Sequence, residues 1–163
     1  MTSEKAIRKA YRILRNVTPL KTDCGKLCNG ECCKGDENTG MLLFPGEEEF
    51  YKNSDDFIVK NDESNRKILI CSGKCDRNNR PLSCRIFPLF PLVCDEKIYV
   101  IDDPRASGIC PLIYDQIKLN KTFERKVGKA ARILSKNDKT FEFLESVSDE
   151  ISEILSMTYD LLG

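Results

Sequence analysis

Histidine is absent from the sequence, and its absence excludes several classes of catalytic and metal-binding site. Ser-His and Cys-His catalytic pairs, zinc fingers with mixed Cys and His ligands, and the His-Glu-x-x-His motif of metallopeptidases all require an imidazole. A net charge of one sign is also missing, because 26 Lys and Arg balance 26 Asp and Glu. Proteins that bind nucleic acid mainly through its phosphates carry a clear basic excess, so the neutral total argues against a nucleic-acid partner.

Long apolar segments and the common nucleotide-binding motifs are missing as well. The longest apolar run, residues 86–94, is interrupted by Pro88 and Pro91 and is too short to span a bilayer, so we expect no membrane association. The first five residues contain no apolar signal core, and we therefore expect a protein of the reducing cytoplasm. Neither a phosphate-binding loop nor a dinucleotide fingerprint occurs.

Cysteine, by contrast, is abundant, with nine residues in a chain of 163. An odd number excludes complete internal disulfide pairing, and in a reducing compartment thiolates meet metal ions more readily than each other. They form a first cluster of Cys24, Cys28, Cys32 and Cys33 and a second of Cys71, Cys75 and Cys84, while Cys94 and Cys110 follow singly, and thiols grouped in this way are candidate metal ligands. Cys94 follows an apolar segment, and we expect it to be a buried thiol outside the ligand set.

Two Cys-x-x-x-Cys pairs, 24–28 and 71–75, have the features of a chelating turn. Each contains a glycine, which lets the backbone turn sharply, and the short spacing brings two sulfur atoms to one ion. Basic residues nearby can offset thiolate charge and lower the thiol pKa, namely Lys26, Lys34, Lys74 and Arg85. Four thiolates suit zinc or an iron–sulfur cluster rather than magnesium or calcium. The alternatives are buried structural thiols and redox-active disulfide chemistry.

At these residues the sequence resembles the YkgJ-type cysteine-cluster family, which is described as zinc- or iron-chelating and to which flagellin lysine N-methylases are related. The most specific part, Arg80-Pro-Leu-Ser-Cys84-Arg-Ile-Phe-Pro88, is similar to the family signature Arg-Pro-x-x-Cys-Arg-x-Phe-Pro. The family's first cluster reads Cys-x-x-Cys-x-x-Cys-Cys, whereas this chain has three residues in each gap. Adjacent residues usually point in different directions, so of Cys32 and Cys33 one can ligate the metal while the other packs or serves a second ion. The resemblance implies that the metal ligands are among eight of the nine cysteines: Cys24, Cys28, Cys32, Cys33, Cys71, Cys75, Cys84 and Cys110.

Hydrophobic periodicity predicts an α+β fold, with a small irregular sheet and cysteine-rich loops packed against N- and C-terminal helices. We divide one compact domain into an N-terminal helix (1–19), a cysteine-cluster metal-binding region (20–112) and a C-terminal helical region (113–163). Predicted helices cover 4–17, 111–119, 122–136 and 139–162, and predicted strands cover 41–44, 57–59, 67–70 and 97–101. The stretch from Arg80 to Pro91 is expected to be extended because of its three prolines.

Charge is unevenly distributed over the last fifty residues. Residues 118–139 contain eight Lys or Arg and two Asp or Glu, whereas residues 140–163 contain six Asp or Glu and no Lys or Arg. One interpretation is an antiparallel helix pair with complementary solvated faces. The other is a basic face for RNA or another anionic partner.

Three functional classes follow from the cysteine pattern, and the sequence leaves open whether the protein is an enzyme. The first is a metal-binding protein that holds zinc, or iron, in a closed thiolate site. The second is an iron–sulfur-dependent enzyme or electron carrier related to flagellin lysine N-methylase. The third is a cytosolic thiol-redox or metal-handling protein, with exchangeable metal and reactive thiols. A metal ion is the expected partner, whereas no protein partner is indicated.

Overall fold

The computed structural model describes residues 1–34, 37–73 and 76–162 and has the α+β fold that the sequence predicts. Six α-helices are found in the described chain: α1 (Ser3–Leu14), α2 (Gly25–Cys28), α3 (Leu82–Ile86), α4 (Pro111–Tyr114), α5 (Lys121–Leu134) and α6 (Asp138–Leu162). Single 3-10 turns occur at Glu31–Cys33, Glu47–Phe50, Arg77–Asn79 and Pro104–Ala106. No helix in this part of the chain has the length and apolarity needed to cross a membrane.

The long helices form where apolar residues recur at helical spacing. In α1, Ala6, Ile7, Ala10 and Leu14 are buried along one face, and the side chain of Thr2 caps the first turn by accepting a hydrogen bond from the backbone N–H of Lys5. Helices α5 and α6 follow the same rule, and α6 begins at Asp138, at the predicted break between them. The three predicted long helices are therefore confirmed to within a few residues.

The strands form two small antiparallel sheets. The first has the order β1 (Met41–Leu42), β3 (Lys67–Cys71), β2 (Phe57–Asn61), with Phe57 opposite Cys71. The second is a hairpin of β4 (Leu89–Cys94) and β5 (Lys97–Asp102), in which Pro91 lies opposite Val100. The predicted strands are confirmed, whereas β4 was not predicted.

The main core joins the terminal helices to the β4–β5 hairpin. Helix α5 packs chiefly against α1 and the hairpin, and α6 packs against β4, so α5 and α6 do not form the expected antiparallel pair. The ring centroids of Phe44 and Phe143 lie 4.7 Å apart within this core. Burying each large apolar side chain contributes about 1.5–3 kcal/mol, and this core fixes the position of the cysteine-bearing segments at its edge.

The stretch from Arg80 to Pro91 is not extended throughout, which corrects the expectation from its prolines. Pro81 has φ −67° and ψ 163° and precedes the first turn of α3, a position that proline tolerates because no helical hydrogen bond needs its nitrogen. The chain therefore makes one short helix around Cys84 before it enters β4.

Candidate metal centre

Six of the predicted cysteine ligands line one cavity of about 80 Å³. They come from three segments that are far apart in the sequence: residues 24–33, the helix α3, and the residues that precede α4. The six are Cys24, Cys28, Cys32, Cys33, Cys84 and Cys110. The fold thus brings together most of the residues that cysteine spacing and the family resemblance singled out.

The first segment folds back on itself through two left-handed residues. Helix α2 begins after Cys24 and ends at Cys28, and the following Asn29 (φ 53°) and Gly30 (φ 68°) reverse the chain into the 3-10 turn that carries Cys32 and Cys33. Asn and Gly adopt this conformation more readily than other residues. The three residues between Cys28 and Cys32 are therefore the ones that reverse the direction of the chain.

The second segment is held by the guanidinium group of Arg85. Its Nε donates to the carbonyl of Arg80 at 2.8 Å and a terminal nitrogen donates to the carbonyl of Asn78 at 2.6 Å, which fixes the loop that leads into α3. The hydroxyl of Ser83 donates to the carbonyl of Leu42 at 2.5 Å and ties α3 to β1. Cys84, between these two anchors, lines the cavity.

The third segment places Cys110 at the inner wall. Cys110 is only 8% exposed and immediately precedes Pro111, the first residue of α4. Its backbone N–H donates to the carbonyl of Ala106 at 2.8 Å, so the position of its thiol is set by the backbone of the preceding turn. Burial raises the pKa of the Cys110 thiol, and burial likewise raises that of Cys24.

The neighbours Cys32 and Cys33 line the same two cavities, so the structure does not assign one of them to the metal cavity and the other elsewhere. The thiol of Cys32 donates a hydrogen bond to the sulfur of Cys33, which lowers the pKa of Cys33 to about 6 and raises that of Cys32. Arg80 also favours the Cys33 thiolate. The 3-10 turn places both residues in the wall of the cavity, and the lowered pKa of Cys33 favours the thiolate, the form that binds metal.

Positive charge around the cavity comes from arginine. Arg77, Arg80 and Arg85 line it, and none of its described lining residues is acidic. Of the basic residues that were expected to do this and that the structure describes, Arg85 lines the cavity, whereas Lys34 forms an exposed ion pair with Glu31 and Lys26 is exposed on α2. Arg77 and Arg80 were therefore missed, although Arg80 lies inside the recognised signature.

The second cysteine pair is only partly described. Cys71 ends β3 and lines an adjoining cavity of about 530 Å³, to which Cys32, Cys33 and Cys84 also contribute. Gly73 lies beside the first cluster, since a Cβ atom built on it would be 3.9 Å from the carbonyl oxygen of Cys33. Cys75 and Lys74 lie outside the described residues.

Cys94 is exposed, so the expectation that it is a buried thiol is wrong. It is the last residue of β4, directly before a two-residue turn in which Asp95 and Glu96 both have positive φ. The tip of the hairpin projects away from the apolar core, and the local apolar sequence could not reveal this. Cys94 lines none of the cavities that contain the other cysteines.

The donor set suits a thiophilic metal, although the described side chains do not yet form a closed coordination shell. Among the residues that the structure describes, no three cysteine or carboxylate side chains converge closely enough to hold an ion, and no disulfide joins any two of the described cysteines. Six thiols with three arginines fit zinc or an iron–sulfur cluster by charge and by ligand type.

Comparisons with known proteins give no match: neither a family model, nor a curated protein, nor a solved structure is similar to this chain. Membership of the YkgJ-type family therefore stays a prediction based on the residues quoted above.

Proposed function

We propose that the protein binds a metal ion, zinc or iron, through the six cysteines that line the 80 Å³ cavity. One observation carries the proposal: three distant segments deliver thiols and arginines, and no described acidic side chain, to the same cavity. Cysteines that serve only as small apolar core residues have no reason to gather in this way with three guanidinium groups. Thiolates and cations together are the expected surroundings of a negatively charged metal–thiolate centre.

The residues that line the cavity would have different roles in binding the metal, according to their positions. Cys28 and Cys84 reach the cavity from α2 and α3, and Cys24 and Cys110 from the positions directly before α2 and α4, while the lowered pKa of Cys33 favours its thiolate. Arg77 and Arg80 would balance the negative charge of the bound centre, while Arg85 holds the loop before α3 in place. The polar segment 22–40 has few apolar residues of its own, so a bound ion would also contribute to its folding free energy.

A second candidate function is an iron–sulfur-dependent enzyme or electron carrier. It is favoured by the adjoining 530 Å³ cavity, which is large enough for a small molecule and has Cys32, Cys33 and Cys84 in its wall. A redox centre at that place would be next to a site for a substrate. The visible spectrum distinguishes the two candidates, because zinc–thiolate centres are colourless and iron–sulfur clusters are brown.

The test is the metal content of protein purified without oxygen and without chelators. We expect about one equivalent of zinc, or iron with acid-labile sulfide, in the wild type. The exposed Cys94 supplies the control: C94S should keep the metal of the wild type, while C84S should lose most of it. A chelator should lower the melting temperature of wild type and C94S alike.

Two results would contradict the proposal. One is a wild type that takes up neither zinc nor iron on anaerobic reconstitution. The other is a C84S variant that folds, as judged by its circular dichroism, and still holds the metal as tightly as C94S.

A further inference from the structure

A second cavity, of about 540 Å³, lies between α1, the 3-10 turn at Glu47–Phe50 and α3 and is lined by four arginines. Three of them, Arg8, Arg12 and Arg15, are spaced four and three residues apart along α1 and its end, so they share one face of the helix. The fourth, Arg85, is on α3. We call this cavity the arginine cleft.

Little negative charge at the wall of the cleft offsets these arginines, although the buried carboxyl group of Glu47 acts electrostatically on Arg85 without forming a salt bridge with it. None of the described residues that line the cleft is acidic. Arg8 pairs with Glu4 at 2.9 Å, but both side chains are more than half exposed, so the pair is weak. In the described part of the chain no carboxylate forms a salt bridge with Arg12, Arg15 or Arg85.

The position of Arg85 is fixed without loss of its charge. Its guanidinium carbon lies 4.6 Å from the ring centroid of Tyr11, and its hydrogen bonds go to the backbone carbonyls of Asn78 and Arg80. Neutral acceptors leave the positive charge in place. The cleft therefore holds a preorganised cation at its inner end and exposed arginines at its rim.

Aromatic rings form another part of the wall. Phe50 and Tyr51 line the cleft, and the guanidinium carbon of Arg8 lies 4.8 Å from the ring centroid of Phe50. The hydroxyl of Tyr51 donates to the carbonyl of Asn79 at 2.9 Å, which holds the ring in place. Guanidinium groups pair with phosphate oxygens, and flat rings stack on planar heterocycles.

We propose that the arginine cleft binds a nucleoside phosphate, with the phosphate held by the arginines and the base placed against the half-buried ring of Phe50, behind which Tyr51 is buried. The volume lies within the range of about 300–1,000 Å³ that small-molecule sites occupy. Recognition would use side chains rather than the backbone amides of a phosphate-binding loop, which the sequence lacks. A long polyanion is disfavoured because the chain as a whole has no net positive charge.

The test is calorimetric titration of the full chain with AMP, adenosine and inorganic phosphate. AMP should bind at least tenfold more tightly than adenosine or phosphate alone, and raising the salt concentration should weaken AMP binding. The variant R12A/R15A should bind AMP at least tenfold more weakly than the wild type. R125A/K129A, which removes two exposed positive charges from α5, should remain within twofold of the wild type.

Melting curves first establish that both double variants fold, which is expected because all four side chains are exposed. The proposal is overturned if AMP does not bind, or if R12A/R15A and R125A/K129A weaken binding equally. It is also overturned if an eight-nucleotide RNA binds at the same arginines while AMP does not, because the surface would then be a nucleic-acid interface. None of these readouts depends on the metal content of the protein.

Discussion

The buried carboxyl group of Glu47 gives the sharpest prediction about stability. The side chain has no exposed surface, and it accepts hydrogen bonds from the backbone N–H of Leu82 at 2.7 Å, from that of Phe44 at 2.9 Å, and from the hydroxyl of Tyr11. It thereby connects α1, the turn after β1 and the start of α3. Burial is the main cause that raises the pKa of Glu47 from its ordinary 4.5 to about 7, against the effect of these hydrogen bonds.

Because folding raises the pKa of Glu47, the way in which stability changes with pH can be worked out. A carboxyl group with a raised pKa binds its proton more tightly in the folded state, so its contribution to stability is fully present below about pH 4.5 and is lost as the pH rises through about 7. Each pKa unit corresponds to about 1.4 kcal/mol, so the whole effect is on the order of 3 kcal/mol. Because glutamine has no titratable group, the free energy of unfolding of E47Q lacks this dependence on pH.

The assay is urea unfolding of wild type and E47Q at pH 5 and pH 8. At pH 5 we expect E47Q to lower the free energy of unfolding by about 1–3 kcal/mol. The amide oxygen of glutamine can still accept from the N–H of Leu82, but its NH₂ group then faces the N–H of Phe44, and two donors cannot form a hydrogen bond. At pH 8 the cost should be smaller by up to about 3 kcal/mol. E49Q is the control, since Glu49 is exposed and paired with Lys52 at the surface. An E47Q cost that is the same at both pH values would refute the reasoning.

Two further predictions concern packing and are measured by urea unfolding. Leu144 is fully buried, so L144A should lower the free energy of unfolding by about 2–5 kcal/mol, whereas L161A, at a residue that is 88% exposed, should change it by less than about 0.5 kcal/mol. A Cβ atom on Gly40 would lie 2.6 Å from the carbonyl oxygen of Leu69, so G40A should cost about 1–3 kcal/mol by displacing β1 from β3. Gly108 has open space at the same position, and an equal loss of stability in G108A would contradict this explanation.

Periodic segments could be predicted from the sequence, whereas short segments set by tertiary contacts could not. The buried positions of α5 and α6 repeat at helical spacing over many residues, which makes the pattern strong. Strand β4 was missed because Pro91 normally argues against a strand. It is tolerated here because β4 pairs only with β5 and has no second neighbour that needs the missing N–H.

The candidate site likewise contains residues that the sequence could predict and residues whose role depends on tertiary contacts. Close spacing predicted that Cys24, Cys28, Cys32 and Cys33 belong together, and the cavity does contain all four. Cys110 is separated from them by most of the middle region, and only the family resemblance pointed to it. Arg77 and Arg80 could not be selected among 26 basic residues, because their role depends on how the loop before α3 folds against the first cluster.

Convergence of cysteines on one metal ion is tested most directly by X-ray absorption at the metal edge, on protein purified anaerobically with reductant. We expect a first shell of sulfur, at about 2.3 Å if the metal is zinc, with a coordination number near four that C94S does not change. A first shell of oxygen or nitrogen would contradict the account. So would a metal-free protein in which all nine thiols react at once with a thiol reagent under native conditions.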